Sequence, residues 1–94
     1  MKKQKDMGRR DDLTTHENQI FSRAHYFRIQ RYAKTGQQER MAVHTFPEAV
    51  KIAKEETAAG NRVLIYAVTA IGDFIVCVPK RWDDFLKLWE TQHG

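Results

Sequence analysis

The sequence lacks most of the signals by which cofactor-binding and metal-binding domains are recognised. It contains one cysteine, Cys77, which excludes an internal disulfide and any zinc knuckle built on a cysteine pair. Its five glycines are scattered singly, and this excludes the glycine-rich loops that cradle phosphate groups. The histidines never fall at close metal-ligand spacing; they are His16, His25, His44 and His93. We therefore expect no metal and no cofactor.

A long hydrophobic run and a strong charge of one sign are also missing. The longest apolar stretch, residues 63–78, is interrupted by Thr69, Gly72 and Asp73 and is shorter than the roughly 18 to 20 apolar residues of a membrane span. The basic N-terminal residues are not followed by an apolar run, so we expect no secretory signal. The formal net charge of +4 permits an acidic partner without requiring one. These features predict a cytoplasmic protein that does not bind membranes.

No pattern of nucleophile, acid or base indicates an enzyme. Cys77 lies in the middle of a predicted strand on an apolar face, which favours a small buried hydrophobe over a nucleophile paired with His25 or His44. The adjacent carboxylates lie in the N-terminal segment or in predicted helices, where solvation is the ordinary explanation; they are Asp11–Asp12, Glu55–Glu56 and Asp83–Asp84. We therefore predict a non-catalytic protein.

The 94 residues predict one small domain preceded by a tail. Residues 1–15 carry mixed charges and few apolar groups, which predicts a flexible tail, and residues 16–94 are expected to form a single domain. Ile20 and Phe21 form an apolar pair that could dock on the domain. A weak signal for a short helix begins at Thr14 or Thr15, with Glu17 in its first turn.

Hydrophobic periodicity predicts the order β-β-α-β-β-α. Alternating residues around Phe27 and Met41 indicate two strands joined by a polar turn. Thr45 and Glu48 predict the start of a helix that ends near Gly60. A second hairpin spans residues 62–78 with its turn at 71–73, and a last helix begins after its proline. The predicted fold class is α+β, with about four strands in a mainly antiparallel sheet and two helices.

The second hairpin is predicted to be apolar on both faces. If Ala70 pairs with Asp73, Tyr66 lies opposite Cys77, and Leu64, Tyr66, Val68, Ile75 and Cys77 share one face. The other face then carries Val63, Ile65, Ala67, Phe74, Val76 and Val78. Strands that are apolar on both sides are normally covered on both sides. The cover could be the Ile20–Phe21 segment or a second copy of the chain; the alternative is one helix on each face. We expect self-association.

The first hairpin predicts a different surface. Placing Arg28 opposite His44 and Tyr32 opposite Arg40 gives an outward face of Tyr26, Arg28, Gln30, Tyr32, Arg40 and His44. Aromatic rings stack on bases and guanidinium groups meet phosphates, so this pattern is typical of a platform for single-stranded nucleic acid. The simpler interpretation is that tyrosine and arginine are common on exposed sheet faces.

The last helix carries an apolar stripe that has two interpretations. Trp82, Phe85, Leu86 and Trp89 line one face at helical spacing. Core packing against the sheet is the simpler interpretation, and a docking face for another chain is the functional one, because tryptophan is enriched at interaction hot spots.

Two functions follow as hypotheses. The first is an interaction or assembly module that acts through homodimerisation or an unidentified protein partner, with its interface at Leu64, Tyr66, Val68, Ile75, Trp82 and Trp89. The alternative is a module that binds single-stranded RNA or DNA through Tyr26, Arg28, Tyr32, Arg40 and His44.

Overall fold

Residues 14–93 are described by a computed structural model, and they form one sheet with three helices. The strands are β1 (Ala24–Tyr32), β2 (Gln38–Val43), β3 (Arg62–Thr69) and β4 (Phe74–Cys77). The helices are α1 (Thr15–Ser22), α2 (Phe46–Ala58) and α3 (Trp82–His93), and a short 3-10 turn, Pro79–Arg81, leads into α3. All neighbouring strands are antiparallel in the order β2-β1-β3-β4, so the predicted α+β class is confirmed.

Helix α1 begins at Thr15, within the segment that the sequence predicts to be a tail. Residues 1–13 of the predicted tail lie outside the described residues. Thr14 and Thr15, however, belong to the beginning of α1: the Thr14 hydroxyl accepts a hydrogen bond from the Glu17 amide at 3.0 Å, and the Glu17 carboxylate accepts one from the Thr14 amide at 2.8 Å. This capping box supplies acceptors for amides that a helix start leaves unpaired. The weakly signalled short helix is therefore present.

All three helices pack on one face of the sheet. Phe21 of α1 lies at the centre of an aromatic cluster, with ring centroids 5.1 Å from both Phe46 of α2 and Phe85 of α3. Its ring is also 5.6 Å from that of Phe27 on β1. Ile20 and Phe21 thus belong to the same core as the other helices, and no helix of residues 14–93 covers the opposite face. The alternative of one helix on each face is wrong.

The second hairpin has a different register from the predicted one. Tyr66 pairs with Val76 and Ile65 pairs with Cys77, so the predicted pairing of Tyr66 with Cys77 is wrong by one residue. The Thr69 amide donates to the Asp73 carbonyl at 2.8 Å, which leaves three residues in the loop instead of two. Gly72, at φ +96°, occupies the left-handed last position that this loop requires. One extra loop residue turns every β4 side chain to the other face of the sheet.

The first hairpin shows the same turn but no change of faces. Ala33 donates its amide to the Gln37 carbonyl at 2.9 Å around a loop that ends in Gly36, at φ +91°. Arg28 consequently pairs with Ala42, and Tyr32 pairs with Gln38. The predicted partners, His44 and Arg40, were each two residues too far along β2. A shift of two residues preserves the alternation, so the predicted outward side chains do point away from the helices.

Candidate nucleic-acid interface

The sheet face opposite the helices brings the two predicted surfaces together. Paired residues of an antiparallel sheet point to the same side, so the observed register places Ala42, Arg28, Tyr66 and Val76 in one row across all four strands. We call this surface the open face. Its aromatic and arginine residues are Tyr26, Arg28, Tyr32, Arg40, Arg62, Tyr66 and Phe74. None of the described strand residues on this face is an aspartate or a glutamate.

Aromatic rings and guanidinium groups alternate along the open face and contact one another. The Arg28 guanidinium carbon lies 4.6 Å from the centre of the Tyr66 ring, and that ring meets Phe74 edge-on at 5.6 Å. Two rows away on the same face, the Arg62 guanidinium lies 5.1 Å from the centre of the ring of Tyr32, its cross-strand partner. Such cation–π contacts orient the arginines while leaving their positive charge without a counterion.

The charge balance differs between the two sides of the sheet. Arg31, on the helical side of β1, pairs with Glu39 and with Glu56, the latter at 3.1 Å. The pKa of Glu56 is lowered first by a hydrogen bond from Asn61 and then by Arg31. Arg28 lies three residues earlier on β1 and faces the other way. Within residues 14–93, the arginines of the open face have no carboxylate within ion-pair distance; they are Arg28, Arg40 and Arg62.

The β3–β4 half of the open face is more apolar. Phe74 and Val76 expose 53% and 37% of their surface, so this part of the sheet presents hydrophobic groups to solvent. Leu64 and Tyr66 are half-buried beside them. Val68 points the same way but is only 6% exposed, because its neighbours cover it. The open face therefore grades from apolar at β4 to basic at β1 and β2.

Two of the residues predicted for an interface lie in the core instead. Ile75 is 8% exposed and shares the helical side with Ala67, because of the three-residue turn. Trp82 is 6% exposed, and its indole Nε1 donates to the Cys77 carbonyl at 2.8 Å. Trp89 is half-buried and packs against the core cluster. The prediction that Ile75 shares a face with Tyr66 is wrong, and the tryptophan stripe packs as core.

A pocket of about 560 Å³ opens on the β1–β2 side of the open face. It is lined by His25, Tyr26, Arg28, Arg40, Met41, Ala42 and His44. Tyr26, Arg28, Arg40 and His44 were predicted from alternation, and the structure brings these four together here. The fifth predicted residue, Tyr32, lies at the far end of β1 and does not line the pocket.

Sequence alternation missed His25, since strict period-2 spacing places it on the helical side with Phe27. A bulge between Ala24 and Tyr26 breaks that spacing, because Ala24 pairs with Thr69 and Tyr26 pairs with Val68. His25 is therefore the extra residue of β1, without a partner on β3, and it lines the pocket. Bulges commonly redirect a side chain in this way. No glycine or proline in the local sequence marks this bulge.

Cys77, the one thiol, is buried on the opposite side of the sheet. Its side chain has no exposed surface, and desolvation raises its pKa to about 12. Such a thiol is protonated at neutral pH and is a poor nucleophile. Among the described residues, no group of three or more histidines, cysteines or carboxylates is arranged to hold a metal ion, and no helix is long and apolar enough to cross a membrane.

Comparison with protein-family models, curated proteins and solved structures gave no significant match, so the open face itself carries the functional argument.

Proposed function

We propose that the protein is a non-catalytic module that binds single-stranded nucleic acid on its open sheet face. The observation that carries this proposal is a face with four aromatic rings and three arginines. None of these arginines has a carboxylate partner in the described chain. The rings offer stacking surfaces to bases, and the guanidinium groups offer charge to phosphates.

The aromatic rings of the open face favour a single strand over a duplex. A four-stranded sheet presents rings that unpaired bases can reach, whereas the bases of a duplex are stacked on one another. Phe74 is the most exposed of the rings, and the Tyr66 ring lies between it and the Arg28 guanidinium, so a nucleic-acid strand crossing this part of the face could contact both rings and a cation.

A titration of labelled oligonucleotides of about eight nucleotides, followed by fluorescence anisotropy, tests this proposal. We expect Phe74→Ala to weaken binding by about fivefold or more, because stacking on one ring contributes about 1–3 kcal/mol per base. Phe74→Tyr should restore it. Arg62→Gln should lower the slope of log affinity against log salt by about one unit.

Lys51→Gln is the matched control, because Lys51 is exposed on α2 and the same charge is lost on the helical side. The Lys51→Gln variant should bind the oligonucleotide with an affinity within about twofold of that of the wild type. Equal losses for Lys51→Gln and Arg62→Gln would show that only net charge matters and would refute the open face as the site. Absence of binding to RNA and DNA at about 50 mM salt would refute the function.

Self-association or a protein partner is the second candidate, and the exposed apolar side chains favour it. Phe74 and Val76 lie beside half-buried Leu64 on the β3–β4 half of the open face. Burying this half against another chain would remove apolar surface from water. A second copy, however, would bring its own unpaired arginines to the contact, and no described strand residue of the face supplies a carboxylate to meet them.

A further inference from the structure

We infer that the pocket between β1 and β2 binds a nucleoside monophosphate unit and receives the terminal phosphate of a bound strand. The second half of this inference rests on the proposed function, whereas the first half does not. It assigns to the pocket a ligand with two parts, a phosphate and a base.

The charge of the lining selects an anion. Arg28 and Arg40 supply two guanidinium groups, His25 and His44 add two imidazoles, and none of the described carboxylates lines the pocket. A terminal phosphate carries about −1.5 to −2 charges near neutral pH, whereas an internal phosphodiester carries one. Because several cationic or donor groups converge on one cavity, a terminal monoester gains more from it than a phosphodiester does.

Arg28 has unused hydrogen-bonding capacity at this position. Its Nε atom is buried and has no acceptor among the described residues. Its guanidinium lies over the Tyr66 ring, which fixes its position without providing an acceptor oxygen. Buried donors are normally paired, so Arg28 itself lacks one acceptor among the described residues. Phosphate oxygens are strong acceptors for arginine.

The pocket is larger than a phosphate group alone would fill. Its volume of about 560 Å³ is within the range of small-molecule pockets, roughly 300–1,000 Å³. Tyr26 supplies an aromatic wall on which a base can stack, and Ala42, which points to the same side of the sheet as Arg28, adds a small apolar surface. A base and a sugar fit these walls, while the phosphate meets the arginines.

Direct titration of the full chain tests the nucleotide half. The probes are adenosine monophosphate, uridine monophosphate, adenosine and inorganic phosphate, and the readout is the NMR shift of the ring protons of His25 and His44. We expect both monophosphates to move these signals and adenosine to bind at least about tenfold more weakly, because it lacks the charge-assisted contacts. The nucleotide half is overturned if neither monophosphate moves either ring or if adenosine binds equally well. It is also overturned if inorganic phosphate matches the monophosphates, because the walls then contribute nothing.

Arg40→Gln and Arg62→Gln form a matched pair for the same titration. Both remove one positive charge from the open face, but only Arg40 lines the pocket. Arg40 is exposed, so its replacement does not disturb the core. We expect monophosphate binding to fall about fivefold or more in Arg40→Gln and to stay within about twofold in Arg62→Gln. Equal effects would overturn the assignment to this pocket.

Oligonucleotides with different ends test whether the pocket receives the terminal phosphate of a bound strand. Strands of about eight nucleotides carrying a 5′-phosphate, a 3′-phosphate or neither are compared in the wild type and in Arg40→Gln. We expect one phosphorylated form to bind about fivefold or more tightly than the unmodified strand, and this gain to vanish in the variant. If all three bind equally, the terminal-phosphate site is wrong while the proposed function stands. If no strand binds but the monophosphates do, the proposed function is wrong while the nucleotide pocket stands.

Discussion

The Cys77 thiol has the greatest intrinsic reactivity of any side chain in the protein, and its burial suppresses that reactivity. Its pKa of about 12 leaves about one thiol in ten thousand ionised near pH 8, whereas a free thiol is substantially ionised there. We expect an aromatic disulfide reagent to modify the native chain at least about a hundredfold more slowly than the urea-unfolded chain, followed by absorbance. The native rate should rise with pH as the thiolate fraction grows.

The interpretation of this experiment is direct because the chain has one cysteine. Urea-unfolded protein at the same pH is the control for reagent activity. A native chain that reacts as fast as the unfolded one would mean that Cys77 is accessible and ionised, and Cys77 could then act as a nucleophile.

At the scale of elements, the two hairpin turns determine which side chains share a surface. Gly72 and Gly36 have φ near +90°, and a methyl group at either position would contact nothing within 4 Å. Replacement by alanine therefore costs only the strain of a left-handed backbone. We expect Gly72→Ala and Gly36→Ala each to lower the free energy of unfolding by about 1 kcal/mol, measured by urea denaturation.

The neighbouring loop residue provides the control for this pair. Ile71 is 85% exposed, and Ile71→Ala should change the free energy of unfolding by less than about 0.5 kcal/mol. A neutral Gly72→Ala would show that the turn does not need the left-handed conformation. The three-residue loop, and with it the assignment of Phe74 to the open face, would then be in doubt.

The same turns explain how far the sequence could predict the candidate site. Element order and the α2 cap were predictable, because period-2 and period-3.6 patterns and the Thr45–Glu48 spacing are local signals. The face of β1 was predictable because a two-residue error in register preserves alternation. The faces of Ile75 and Phe74 were not predictable, because a glycine at the end of a loop fits loops of two or three residues. His25 was missed since an unmarked bulge leaves no pattern in the sequence.

At the scale of the whole molecule, the side on which the helices pack determines what the protein can bind. The sequence predicted strands apolar on both sides and therefore a second cover. Phe74 and Val76, on the edge strand β4, remain exposed on the open face. The neighbouring strands β3 and β1 carry aromatic and arginine side chains on the same face. This face is therefore part apolar and part cationic. A partner that offers both apolar rings and negative charge complements it better than a copy of itself.

Salt concentration distinguishes a nucleic-acid partner from a second copy of the chain, because added salt lowers the affinity for the first and does not lower the affinity for the second. Salt weakens binding to nucleic acid through the loss of counterion release, and it screens the arginine repulsion that opposes a face-to-face dimer. We expect light scattering to give the mass of one chain, 11.0 kDa, at about 50 mM salt and at high micromolar concentration. The oligonucleotide complex should dissociate as salt rises to about 500 mM, while the free protein stays monomeric.

A mass near 22 kDa, twice the 11.0 kDa of one chain, would contradict this expectation and favour self-association. Two variants then locate the contact. Phe74→Glu places a charge on the open face, and Ile71→Glu places the same charge on a loop that is more exposed. Reversion to the monomer in the first variant alone would assign the dimer to the open face. Reversion in neither would assign it to another surface and leave the open face available to nucleic acid, because only occupants of the same face compete for it.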